Sequence, residues 1–299
     1  MRKPVWLIVC LCLPVTVSAQ HLFEAGLRGG LAAWSARTDY VSARPNLHAG
    51  LELAYVYHSP HVVGFRAGLA VDYHQTAFAK TDYTDSYRTI DVENQRMQID
   101  YTIGSLKESY RFWSVGVPLQ IALSWRNVSL SIGPKFVFPL TASWRENADH
   151  ASLSVYYPDY DSRVLDSYPL AASQDFSAQN EGALNVPKIQ YWLATELTYT
   201  LQPNSYSTSL STYLNVGIYF DYSFSGLSIE HNTAESLIML TDTRDGFPLQ
   251  RILSPVLTSS RQGEHLVSRC ALFDIGIKLS VALAPYNPHR PTVRRCNCL

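Results

Sequence analysis

FWSVGVPLQIALSWRNVSLSIGPKFVFPL, residues 112–140, decides the fold. In its first half Trp113, Val115, Val117, Leu119, Ile121, Leu123 and Trp125 alternate with Ser114, Gly116, Pro118, Gln120 and Ser124. Arg126-Asn127 turns the chain. In its second half Val128, Leu130, Ile132, Phe136, Phe138 and Leu140 alternate with Ser129, Ser131, Gly133, Lys135 and Val137. A period of two marks a strand with one apolar and one polar face. Runs of this length can cross a bilayer as tilted strands. Pro118 and Pro134 each remove a ladder donor, so each predicts a bulge or a local break.

Six other segments alternate in the same way. Their apolar sets start at Phe23, Leu47, Val63, Ile189, Leu210 and Ala271. Short turns at 58–61, 126–127 and 202–205 fall on one side, and long connections near 34–46, 76–110, 144–187 and 225–266 on the other. This predicts an all-β, eight-stranded antiparallel up-and-down transmembrane barrel, or ten strands if the long connections hide two more. Short turns and both chain ends would be periplasmic, and the long loops extracellular. Tyr55, Tyr57, Phe65, Trp125 and Tyr199 fall near the inner rim, and Tyr73, Trp113, Phe138, Trp144, Tyr222 and Phe224 near the outer one. Rings at these levels suit the headgroup region. The register implies that Leu51→Arg, on the apolar face, blocks assembly more than Gly50→Ser, on the polar face.

Residues 1–19 read as a secretory signal. Arg2 and Lys3 precede the apolar run Val5–Leu13, and Val17-Ser18-Ala19 suits cleavage near Ala19. The barrel then spans 20–284, with a periplasmic tail at 285–299. These features place the chain in the outer membrane of a Gram-negative bacterium. The net charge of −1 becomes −3 once Arg2 and Lys3 are removed, which gives no basis for nucleic-acid binding. Of five cysteines, Cys270, Cys296 and Cys298 lie beyond the signal, an odd number outside the cytosol.

The export signal, the Gly-rich first strand and the runs 112–123 and 130–140 resemble the outer-membrane β-barrel domain family common in Bacteroidetes, known as PorT-like. Its "Pro-Leu" and "Gly-Pro" steps are similar to Pro118-Leu119 and Gly133-Pro134 here. The resemblance implies a barrel fold and an outer-membrane location. The PorT name implies type IX secretion, a role that is not carried over.

Charged residues on the polar faces form the candidate lumen ion-pair set: Glu24, Arg28, Glu52, Arg66, Asp72, Lys135, Lys188, Glu196, Asp221, Asp274 and Lys278. Near balance of sign suits an internal network, because buried charges need partners. An eight-stranded barrel is only wide enough for its own side chains to fill. No catalytic, cofactor-binding or metal set is assigned, and no cofactor. His150, His231 and His265 lie in long connections without a nucleophile motif. Asp159 and Asp161 form a weak cation motif. The expected function is a non-catalytic barrel that contacts outer-membrane lipid and displays loops to a protein or glycan partner. A gated transport or secretion component is the alternative, and an outer-membrane enzyme the distant one.

Overall fold

The computed structural model describes residues 20–285, except 39, 59–62, 91–93, 126, 161, 165–175, 202–209, 225–235, 242–249, 262–263 and 268. The signal segment and the tail lie outside these residues. The strands are β1 (Gln20–Arg37), β2 (Ser42–His58), β3 (Val63–Ile90), β4 (Arg96–Trp125), β5 (Val128–Tyr157), β6 (Ser162–Val164), β7 (Phe176–Ala183), β8 (Gln190–Leu201), β9 (Leu210–Ser223), β10 (Ile238–Thr241), β11 (Gln250–Leu253), β12 (Ser260–Arg261), β13 (Glu264–His265) and β14 (Arg269–Pro285).

β1, β2, β3, β4, β5, β8, β9 and β14 pair in that order, and β14 returns to β1, closing a ring of eight antiparallel strands. β6 and β7 pair only with β5, outside the ring, so the ten-strand alternative does not describe the barrel. At the closing seam β1 and β14 come very near. A Cβ on Gly30 would sit 2.1 Å from the Ile275 carbonyl oxygen, and one on Gly276 2.2 Å from that of Gly29. Only glycine allows this approach.

Large apolar side chains cover the outside of the ring. Ile277 is 60% exposed and Leu51 59%, with Leu27, Leu69, Ile121, Leu197 and Ile218 at similar exposure. Water would penalise so much bare apolar surface, so the belt calls for a nonpolar surrounding. On β14 the belt runs from Phe273 to Leu283. Ten steps of about 3.4 Å at a tilt of about 40° give about 26 Å, the height of a lipid-facing band. The upper edge is sharp on β4: Val117, Val115 and Trp113 face out below it, and Arg111 and Lys107 above it.

One sequence expectation changes here and another resolves to one of its two outcomes. First, 76–110 and much of 144–187 are not loops. β3, β4 and β5 continue well past the belt, to Ile90, Arg96 and Tyr157. Bulges re-aim the buried inner face along them. At Trp113/Ser114 the β4–β5 register shifts, leaving Leu140 unpaired, so the buried set of β5 moves from odd to even positions. Further out, Asp82 and His150 adopt φ of 52° and 55°, and Gly104 lies between them on β4. Burial switches parity on all three strands at that row, where Tyr83, Tyr101, Ile103, Ala151 and Leu153 turn inward. A bulge re-aims a strand's side chains in this way. Second, the prolines sit within ladders whose register is unchanged. Pro118 pairs with Lys135 and Pro134 with Leu193; the pairs of Leu119–Gln120 with Gly133–Pro134 drop out, as do those of Gly68–Leu69 with Val117–Pro118. They produce local breaks and no bulge.

The inward glycine at position 50 is also not a neutral site. A Cβ there would lie 2.2 Å from Asp72 Oδ1. Gly50→Ser therefore disturbs the lumen and is no mild counterpart to Leu51→Arg.

Candidate functional site: the packed lumen and its outer lobe

The inward positions of the ring meet in two charged layers. In the layer nearer the short turns, Arg66 lies 2.6 Å from Glu52, 2.9 Å from Glu196 and 3.6 Å from Glu24. It also donates to Gln120 at 2.8 Å. Lys278 bridges the same three carboxylates, Glu24, Glu52 and Glu196, at 3.1, 3.0 and 2.9 Å. In the next layer Lys135 donates to Asp72 at 2.7 Å and to Asp221 at 2.8 Å. Arg28 donates to Asp221 at 2.6 Å and lies 3.5 Å from Asp72, its guanidinium 4.1 Å from the Tyr219 ring centre. His48, His74 and Asp274 complete this layer, all buried. Each layer thus holds three carboxylates against two fixed cations. Charges this deep persist only when each is paired.

Apolar groups close both ends of the polar stack. Below it, Leu22, Ala54, Val56 and Ala282 pack together with Tyr213 against them. Above it, Trp192 covers the second layer, with Lys135 5.9 Å and His74 5.6 Å from its ring. Next come Trp34, Phe112, Tyr110 and Phe78, in contact edge to face and stacked. Leu237, Ile238, Leu253, Val256, Leu257 and Leu266, from the connection between β9 and β14, fold into this core. Among the described residues, buried side chains occupy every level of the interior, from Leu22 and Val56 through the charged layers to Trp34 and Phe78.

Beyond the belt, the extended β3–β4–β5 sheet carries its own buried polar groups. Glu108 and Glu146 face each other across β4 and β5. The Val256 N–H donates to Glu108 at 3.0 Å, while both Glu146 oxygens lack a hydrogen bond. Burial pushes the Glu108 carboxyl up to about 8, against the opposing pull of the Tyr110 hydroxyl and the Val256 N–H. Burial, with Glu108 beside it, raises Glu146 well above the ordinary value. The pair therefore shares protons when folded. A carboxyl whose folded pKa is raised favours folding fully below its unfolded value near 4.5, and that advantage is lost as pH climbs towards about 8. Glu146→Gln is thus expected to slow proteolysis of the outer lobe at about pH 8.5, by about 1–3 kcal/mol of local stability. At about pH 4.5 the variant and the parent should be cut at the same rate.

Of the candidate lumen set, Glu24, Arg28, Glu52, Arg66, Asp72, Lys135, Glu196, Asp221, Asp274 and Lys278 are all buried in the two layers. Lys188 is not. It is exposed in the stretch that precedes β8, because that strand begins only at Gln190. His150 and His265 are exposed on β5 and β13, and His231, Asp161, Cys296 and Cys298 lie outside the described residues. Cys270 is a free thiol within the apolar core, its pKa pushed up by burial, which leaves it unreactive. Alternation counted from Leu47 and Val63 puts His48 and His74 on the polar face, but does not bring them to Asp274. Nor does it find the Glu108–Glu146 pair, because it reads those positions as loop.

No family model matches the chain, and no curated protein matches it. Among solved structures it is similar to Neisserial surface protein A, at 10% identity and a TM-score of 0.29, over 88% of this chain and 98% of that one. It is also similar to Ail, the attachment invasion locus protein of Yersinia pestis, solved with the heparin analogue sucrose octasulfate. There the identity is 10% and the TM-score 0.25, over 89% of this chain and 99% of that one. On its own strand pairing, the chain is an eight-stranded, antiparallel, up-and-down β-barrel.

Proposed function

We propose that the chain is an integral outer-membrane barrel with a sealed lumen, non-catalytic, whose outer lobe is its working surface. The observation that carries this is the pairing of a continuous outward apolar belt with an interior filled by side chains. The belt supports insertion in lipid. The filled interior favours a scaffold over a conduit, because transport would require the buried ion pairs to part. The charged layers then serve to hold the ring rigid, so that β3, β4 and β5 project the lobe outward. Its exposed face offers Arg145 and Glu181, paired at 2.6 Å, with Ser109, Arg111 and Ser143 around them. Polar, adaptable groups of this kind suit a protein or glycan partner. The Pro118-Leu119 and Gly133-Pro134 steps carry the resemblance to PorT-like barrels and fit the same location.

The first test is refolding of the mature chain in detergent, followed by planar-bilayer recording. Heat-dependent gel mobility with a strand-rich circular dichroism spectrum is expected, with no steady conductance. Steady, ion-selective channels from protein that passes the gel test would favour the transport alternative.

A further inference from the structure

His48, His74 and Asp274 come from β2, β3 and β14, and converge at one point in the upper charged layer. One ligand-type atom from each lies within 4.8 Å of the other two. Asp274 Oδ2 is 3.0 Å from His74 Nδ1 and 3.8 Å from His48 Nε2. Asp72 Oδ1 is 3.5 Å from His48 Nε2. Metal bonds of about 2.0–2.1 Å place the donors of a tetrahedral site about 3.3 Å apart, which these separations bracket.

Two independent features point to a ligand here. His48 Nε2 and Asp274 Oδ2 are fully buried and make no hydrogen bond, although both aim into the cluster. Unmet polar atoms at such depth are expensive. The far nitrogens of both imidazoles are held by hydroxyls: His48 Nδ1 by Tyr219, and His74 Nε2 by Ser114 at 3.2 Å. Metal-bound histidines are typically oriented by such partners. We infer that His48, His74 and Asp274, with Asp72 as fourth ligand, form a buried site for a divalent transition-metal ion of zinc type. Imidazole and carboxylate donors in four-fold array select that class. The ion would join β2, β3 and β14 at the level of the Gly30–Gly276 seam, as a structural staple loaded during folding.

The test is zinc content of the chain refolded in detergent with ZnCl2 and then dialysed. His48→Gln/His74→Gln and the exposed-site control His150→Gln are treated alike. The double variant is expected to hold about one zinc fewer per chain than the parent, and His150→Gln the same as the parent. Cobalt substituted for zinc should give intense tetrahedral visible bands in the parent and in His150→Gln, and none in the double variant. If the double variant does not refold, Tyr219→Phe serves instead: it keeps every ligand and should weaken affinity about 10–100-fold. Equal zinc content in parent and double variant, parent protein without zinc, or unchanged affinity in Tyr219→Phe would overturn the inference.

Discussion

Lys135→Ala should leave little heat-modifiable barrel after refolding. Lys135 is 1% exposed, and its ammonium is the direct link between Asp72 and Asp221. Removing it strands two buried carboxylates beside a single arginine, Arg28. Breaking a buried pair in this way costs about 3–5 kcal/mol, most of it from charge left without a partner. The shaft matters as well, since Lys135 Cε lies over Gly116, where a Cβ would be 2.5 Å away. Lys135→Met keeps that packing but still strands the acids, so it should recover only a small part of the loss. Lys135→Met with Asp221→Asn removes one stranded charge and should recover more than either change alone would suggest. Urea unfolding in lipid vesicles, analysed as a double-mutant cycle, gives the coupling. A loss under 1 kcal/mol for Lys135→Ala would mean that water reaches the layer.

Ile277→Arg should be nearly as damaging, for the opposite reason. Ile277 faces outward at the middle of the β14 belt, between Ile275 and Leu279. A charge at the bilayer midplane of a barrel costs about 2–4 kcal/mol, falling to about 0–1 near the interfaces. The companion change is Thr102→Arg, outward-facing on β4 above the belt. It should leave folding in vesicles unchanged. Equal effects from the two would place both positions in the same solvent.

The ring was legible because an apolar outer face and packed polar groups inside impose a strict period of two. Leu51, Leu53 and Tyr55 alternate with Gly50, Glu52 and Ala54 without interruption. The outer lobe was not legible, because that rule fails where the strands bulge. Leu140, His150, Gly104 and Asp82 each move the inward face by one residue. A reader following one parity loses the strand there and takes the rest for loop. Lys188 was misplaced for a related reason: alternation continues two residues beyond the point where β8 begins pairing. The meeting of His48 and His74 with Asp274 depends on the stagger between strands, which alternation alone does not encode. Arg66, by contrast, needed only an inward position: Glu52 meets it from the neighbouring β2, and Glu196 from β8 across the lumen.

The most direct measurement is a nitroxide scan of β14 in protein reconstituted into bilayers. Single labels are placed at Phe273, Ile275, Ile277, Leu279, Val281 and Leu283, with Cys270, Cys296 and Cys298 replaced by alanine. At each site, collision with oxygen is compared with collision with a water-soluble nickel complex. Oxygen should dominate most at Ile277 and Leu279 and give way to nickel towards both ends. High nickel access at every position would contradict the lipid-facing belt and return the barrel to water.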